Sequence, residues 1–117
     1  MDKPLDGIRV IAIEQFGAGP YGSMYLAELG ADVIKVENRA TGGDPSRQSG
    51  VVTLADDDSA YFQAFNLSKR SVTVNLKSPE GRAIFEDLVR TADVVWNNLR
   101  GSQPAKLGLD YDTLKAI

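Results

Sequence analysis

A nearly continuous apolar run, Ile8 to Ile13, and a second strand-like segment, Ala31 to Glu37, bracket a stretch whose apolar residues recur at helical spacing. That arrangement leaves few folds open. A nearly continuous apolar run of this length suits a strand of a parallel sheet covered on both faces, and the first run follows the turn signal Leu5-Asp6-Gly7. Between the runs, Tyr21, Met24, Tyr25 and Leu29 define a helix stripe, with Pro20 at the first helical position and Gly30 just past the end. The order β-α-β within about 30 residues is the span a right-handed parallel crossover needs.

A second round of alternation follows. From Asn38 to about Asp58 the sequence reads as a loop, with Gly42-Gly43-Asp44-Pro45-Ser46, Ser49-Gly50 and Asp56-Asp57-Asp58 supplying turn chemistry. A connection of roughly 20 residues inside a compact domain is usually functional or mobile. Tyr61, Phe62 and Phe65 predict a short helix that pins this loop to the core. Ser71 to Leu76 alternates with period two. Ser78-Pro79-Glu80 then supplies the N-cap, proline and acidic first turn of a helix, whose buried stripe is expected at Ile84, Phe85, Leu88 and Val89. Asp93 to Trp96 reads as another strand, followed by Asn97-Asn98 and a glycine turn. The whole predicts a doubly wound α/β sheet. At 117 residues the chain suits one domain. Asp110 looks like the N-cap of a helix that reaches Ile117 after only about two turns, too short to stand without packing partners, so 1–117 is expected to be a piece of a longer chain.

Composition narrows the chemistry. Net charge is −3 and the 13 Lys and Arg are scattered, which argues against a nucleic-acid partner. No apolar run approaches the roughly 20 residues of a membrane span, and Met1-Asp2-Lys3-Pro4 lacks a secretory h-region. A cytoplasmic location without membrane contact is the default expectation. With no Cys and no His, the chain cannot supply a thiolate or imidazole nucleophile, a Ser-His-Asp triad or an ordinary zinc site. Any catalysis must use carboxylates, Lys, Ser, Tyr or groups from elsewhere, and no metal is expected.

Gly17-Ala18-Gly19-Pro20-Tyr21-Gly22 spells G-x-G-x-x-G between a strand and a helix, and Glu37 ends the next strand about 20 residues on, where an acidic side chain meets a ribose hydroxyl in dinucleotide sites. Two residues oppose that reading. Pro20 has no N–H to offer a pyrophosphate, and Tyr21 places a bulky ring at the mouth of the site. The alternatives are another nucleotide-like ligand, or a purely structural use in which Gly17 and Gly19 make a tight turn and Gly22 lets the helix approach the sheet.

The order of motifs resembles the N-terminal part of the class III CoA-transferases, the family of formyl-CoA and carnitine CoA-transferases and alpha-methylacyl-CoA racemase. The segments are "PLDGIRVIAIEQFGAGPYGSMYLAELGADVIKVE", "GGDPSR", "SAYFQAFNLSKRSVTVNLKSPEGRAIFEDLVRTADVVWNNLRG" and "KLGLDYDTLKAI", in family order over nearly the whole chain. The resemblance implies a Rossmann-like, mostly parallel sheet with helices on both faces, in a longer chain that forms an interlocked homodimer. It implies coenzyme A, carried as acyl-CoA, as the ligand in place of NAD, with a carboxylic acid as acceptor. Contacts would fall on Gly17 and Ala18, on Val74, Asn75, Leu76 and Lys77, on Asn98 and Leu99, and on Lys106, with Arg39 taking over from Asn38, where some members carry Arg. Lys77 and Lys106 suit phosphate, and solvated surface lysines are the alternative. Arg47, Lys69 and Arg70 could equally meet a phosphate or face water. Asn97-Asn98-Leu99 departs from the Glu-Asn-Phe or Glu-Asn-Tyr common in the family, so an aromatic surface is missing there.

In the family an Asp carboxylate attacks the acyl-CoA thioester, giving a mixed anhydride and then an aspartyl-CoA thioester. That Asp lies downstream of this segment. Asp44 and Asp56 to Asp58 sit in polar turns, and Glu14 and Glu37 are expected to trim the loop or contact a ligand. The segment is therefore expected to bind CoA and to have no transferase activity alone. Racemisation at the alpha carbon, and a non-catalytic nucleotide-binding or assembly module, are the alternatives.

Overall fold

The computed structural model describes residues 2–117. Met1, where the N-terminal stretch without an h-region begins, lies outside the described residues. Four strands form one parallel sheet: β1 (Arg9–Ile13), β2 (Asp32–Glu37), β5 (Arg70–Thr73) and β6 (Val94–Asn97), in the order β5-β2-β1-β6. Val10 pairs with Val33 on one side and Val94 on the other, so β1 is central. The chain moves outward from β1 through β2 to β5, then returns across the sheet to β6. This reversal leaves a crevice between the carboxyl ends of β1 and β6, the place where open α/β sheets bind ligands.

Helices cover both faces. On one face α1 (Ala18–Glu28) packs Ala27 against Val10, Ala12 and Val33. On the other, α3 (Pro79–Arg90) buries Phe85 completely against Ile11, Ile13, Ile34 and Val36, and Leu109 closes the same cluster. The two-sided cover explains why β1 and β2 are largely apolar along their middles, with Lys35 the exception in β2. The helix starts follow local chemistry: Ser78 Oγ accepts from the Gly81 amide at 3.0 Å, with Pro79 in the first turn, and Asp110 caps α5 (Tyr111–Leu114) through the Thr113 amide. Between them lies the short α4 (Gln103–Lys106).

Four expectations need correcting. Of the stripe read between the first two strands, Tyr21, Tyr25 and Leu29 are exposed, and the buried residues of α1 include Ser23 and Ala27 instead. Helix α1 begins at Ala18, so Pro20 stands in its third position, still among the first amides that have no intrahelical acceptor. Ile84 is 52 % exposed and lies outside the stripe, which consists of Phe85 with the half-buried Leu88 and Val89. The connection after β2 is not a plain loop: it holds two 3-10 turns (Arg39–Thr41 and Pro45–Gln48) and an antiparallel pair, β3 (Thr53–Ala55) with β4 (Asp58–Ser59). The expected short helix is α2 (Ala60–Phe65). It does hold this segment down, since Phe62 is buried with the Arg47 guanidinium 3.9 Å from its ring centre. No helix among the described residues is long and apolar enough to cross a membrane.

Candidate functional site

The carboxyl ends of the parallel strands open onto two adjoining depressions. The first, with a cavity volume of about 130 Å³, lies over β2 and β5 and is lined by Val36, Val74, Asn75, Leu76, Lys77 and Leu99, among others. The second lies in the crevice between β1 and β6, lined by Gln15, Phe16, Gly17, Ala18, Asn98, Leu99, Arg100 and Gln103. Gln15 and Leu99 border both. Eight of the ten residues singled out from the sequence thus line one or other of these two depressions. Arg39 and Lys106 line neither; both are exposed, on the first 3-10 turn and on α4 respectively.

The turn after β1 is held from several sides. Asn98 clasps Gln15 twice, accepting from its amide and donating to its carbonyl, both at 3.0 Å. Trp96 Nε1 donates to the Gly19 carbonyl at 3.1 Å. A β-carbon on Gly19 would lie 2.6 Å from Asn98 Cγ, and one on Gly22 would lie 2.6 Å from Trp96 Cζ2, closer than side-chain atoms pack. Gly22 therefore serves close approach of helix and sheet, as the structural reading of the motif expected, whereas Gly19, expected in a tight turn, stands inside α1 and makes room for Asn98. The start of α1 carries no side-chain cap and no acidic residue, so its first amides remain available to a ligand oxygen.

Beneath the turn lies a charge cluster that sequence reasoning missed. Lys35, 1 % exposed in the middle of β2, donates to Asp44 Oδ2 at 2.7 Å and to Asn66 Oδ1 at 3.0 Å. Lys69 donates to Glu14 Oε1 at 2.8 Å and to the Pro20 and Phe65 carbonyls. Two ammonium groups thus face two carboxylates, as buried charges require. Asp44 also accepts from the amides of Phe16 at 3.1 Å and Ser46 at 2.9 Å. Burial pushes its carboxyl up, but Lys35 and these amides outweigh that and hold it below the usual Asp value. Burial pulls Lys69 below the ordinary lysine value, and Glu14 opposes it.

Glu37 is likewise committed. Arg47 grips both its oxygens, at 2.8 and 2.7 Å, while the Asp44 amide and the Ser71 hydroxyl also donate to it. Against the upward push of burial these donors hold its carboxyl down to about 2. Its oxygens are therefore occupied by protein donors and do not stand free for a ribose. Of the cations left open by the sequence, Arg47 pairs with Glu37, Lys69 with Glu14 and Arg70 with Asp32, which is also paired with Arg9. Arg100, not singled out earlier, lines the second depression and is exposed.

Comparison with known proteins bears on the family and the fold. The sequence model of CoA-transferase family III matches residues 5–117. The chain is 49 % identical over 119 residues to a succinate–glutarate CoA-transferase of Agrobacterium fabrum, covering 97 % of this chain and 30 % of that protein. It is 40 % identical over 115 residues to a formyl-CoA:oxalate CoA-transferase of Streptomyces coelicolor, covering 98 % of this chain and 27 % of that one. Among solved structures, a CAIB/BAIF family protein from Brucella suis superposes with a TM-score of 0.87 at 41 % identity, over 99 % of this chain and 31 % of its own. The chain thus spans less than a third of the length of these relatives.

Proposed function

Because the chain belongs to CoA-transferase family III, we propose that the protein it forms part of moves CoA between carboxylic acids, and that residues 1–117 supply much of the CoA site as its N-terminal Rossmann-like segment. The reading rests on the paired depressions at the strand ends. The first sets the apolar Val36, Val74, Leu76 and Leu99 beside Lys77 and suits part of a CoA thioester, the ammonium pairing with phosphate while the carboxylates that also line it are held by protein donors. The second offers the free amides of the α1 start beside Leu99. Asn98 acts mainly by holding Gln15, whereas Arg39 and Lys106 reach CoA only through their long side chains.

In the proposed mechanism a nucleophilic Asp outside residues 1–117 attacks the acyl carbon of the thioester, forming a mixed anhydride and releasing CoA thiolate. The thiolate then attacks the aspartyl carbonyl, freeing the first acid and leaving an aspartyl-CoA thioester. The acceptor carboxylate attacks that thioester, giving a second anhydride and CoA thiolate, and the thiolate takes the new acyl group and restores the Asp. The committed Glu37 supports CoA over NAD. The relatives above are named for succinate, glutarate, formate and oxalate, which supports small carboxylic acids as partners. An interlocked homodimer in the cytoplasm is part of the same proposal.

The test incubates the full-length protein with succinyl-CoA and glutarate and follows glutaryl-CoA by mass spectrometry, beside thermal shifts with CoA and with NAD. Stabilisation by CoA, CoA exchange by the full-length protein and none by residues 1–117 alone are expected. Stabilisation by NAD but not CoA would refute the reading.

A further inference from the structure

Phe16 stands in the left-handed region, with φ +61°. Among the described residues, seven other left-handed positions are glycine and one is Ser68; only here does the chain place a large side chain in a conformation that disfavours it. The backbone is fixed from both sides. The Phe16 amide donates to Asp44 Oδ1, and the neighbouring Gln15 is clasped twice by Asn98. Such over-determined strain is a mark of functional sites.

Packing within this chain does not repay the strain. Phe16 belongs to neither core cluster and pairs with none of the aromatic rings, and it is 46 % exposed where Phe62 is 7 % and Phe85 is 0 %. It lines the second depression beside Gly17, Ala18 and Leu99, whereas Lys77 belongs to the first. A CoA thioester with its phosphates at Lys77 would place its other end in the crevice. Resting on the CoA reading above, we propose that Phe16 is a binding residue for the acyl-thioester end of the ligand, kept in position by Asp44 and Asn98.

The test uses the full-length protein with Phe16→Gly and Phe16→Asn, which accept the left-handed backbone without the ring, and Phe16→Tyr, which keeps an aromatic ring. KM for succinyl-CoA is measured beside the dissociation constant of 3′,5′-ADP, a probe of the nucleotide end alone, and the melting temperature. We expect Gly and Asn to raise KM about tenfold, the size of one lost aromatic contact, with 3′,5′-ADP binding held, melting temperature held or raised as the backbone strain is relieved, and Tyr near wild type. An unchanged KM with a lowered melting temperature would mean that the ring packs on the rest of the polypeptide, and would overturn the proposal. Equal weakening of both ligands would overturn it too, as loop distortion. Wild-type protein that binds neither CoA nor 3′,5′-ADP would overturn the CoA reading and this inference together.

Discussion

Replacing Asp44 by Asn in the full-length protein removes one negative charge and little else. The amide oxygen can still accept from the Phe16 and Ser46 amides, so the turn keeps its local hydrogen bonds. Lys35, however, is left 1 % exposed with only Asn66 at 3.0 Å and Glu14 at 3.7 Å. Breaking a buried pair from one side costs about 3–5 kcal/mol, because the remaining ion keeps its desolvation penalty. The nearby Glu14 offsets part of that, so about 3 kcal/mol is expected. Replacing both partners, Asp44→Asn with Lys35→Met, removes the orphaned ion and should recover about 2 kcal/mol of it, since apolar replacements of buried pairs are often close to neutral.

Urea unfolding of the wild type, both single variants and the double variant closes the cycle. Hydrogen exchange at the β1 and β2 amides confirms that the loss falls on this sheet. The expected coupling is therefore at least the recovered amount, about 2 kcal/mol, plus whatever Lys35→Met costs alone. A cost below about 0.5 kcal/mol for Asp44→Asn, or a double variant that loses the full sum of the singles, would refute the view that Lys35 and Asp44 form a dry, interdependent pair.

Two further outcomes follow from the same region. The Glu37 carboxyl lies near 2 in the folded protein against 4.5 when free, so its contribution is complete above about pH 4.5 and declines as pH falls toward 2; Glu37→Gln should flatten that part of the stability profile from urea unfolding between pH 3 and 6, and an unaltered slope would count against the Arg47 pairing. Gly22→Ala puts a methyl 2.6 Å from Trp96, for an expected loss of about 1–3 kcal/mol; urea midpoints equal to wild type would show that α1 can shift away from β6 without cost.

The fold was legible because its determinants are local. Apolar runs marked β1 and β2, Ser78-Pro79 and Asp110 marked helix starts that the structure places at those residues, and the β-α-β spacing forced a parallel sheet. The β3–β4 pair was not legible, since Thr53-Leu54-Ala55 is exposed throughout and its pairing owes nothing to a buried face. The depression at the strand ends was legible where family motifs and a strand end coincide, as at Val74 to Lys77, and less so where contacts join distant segments. Lys35 did carry a signal: a lone charge inside an apolar, doubly covered strand cannot face water, and so demands an acid. Nothing local named Asp44 as that acid, because only the return of the connection over β2 brings it within 2.7 Å. The consequence reaches the glycine turn itself. Asp44, which looked like ordinary turn chemistry, holds the Phe16 amide and Lys35 at once. The shape of the crevice at Gly17 and Ala18 therefore depends on a buried pair as much as on the glycines.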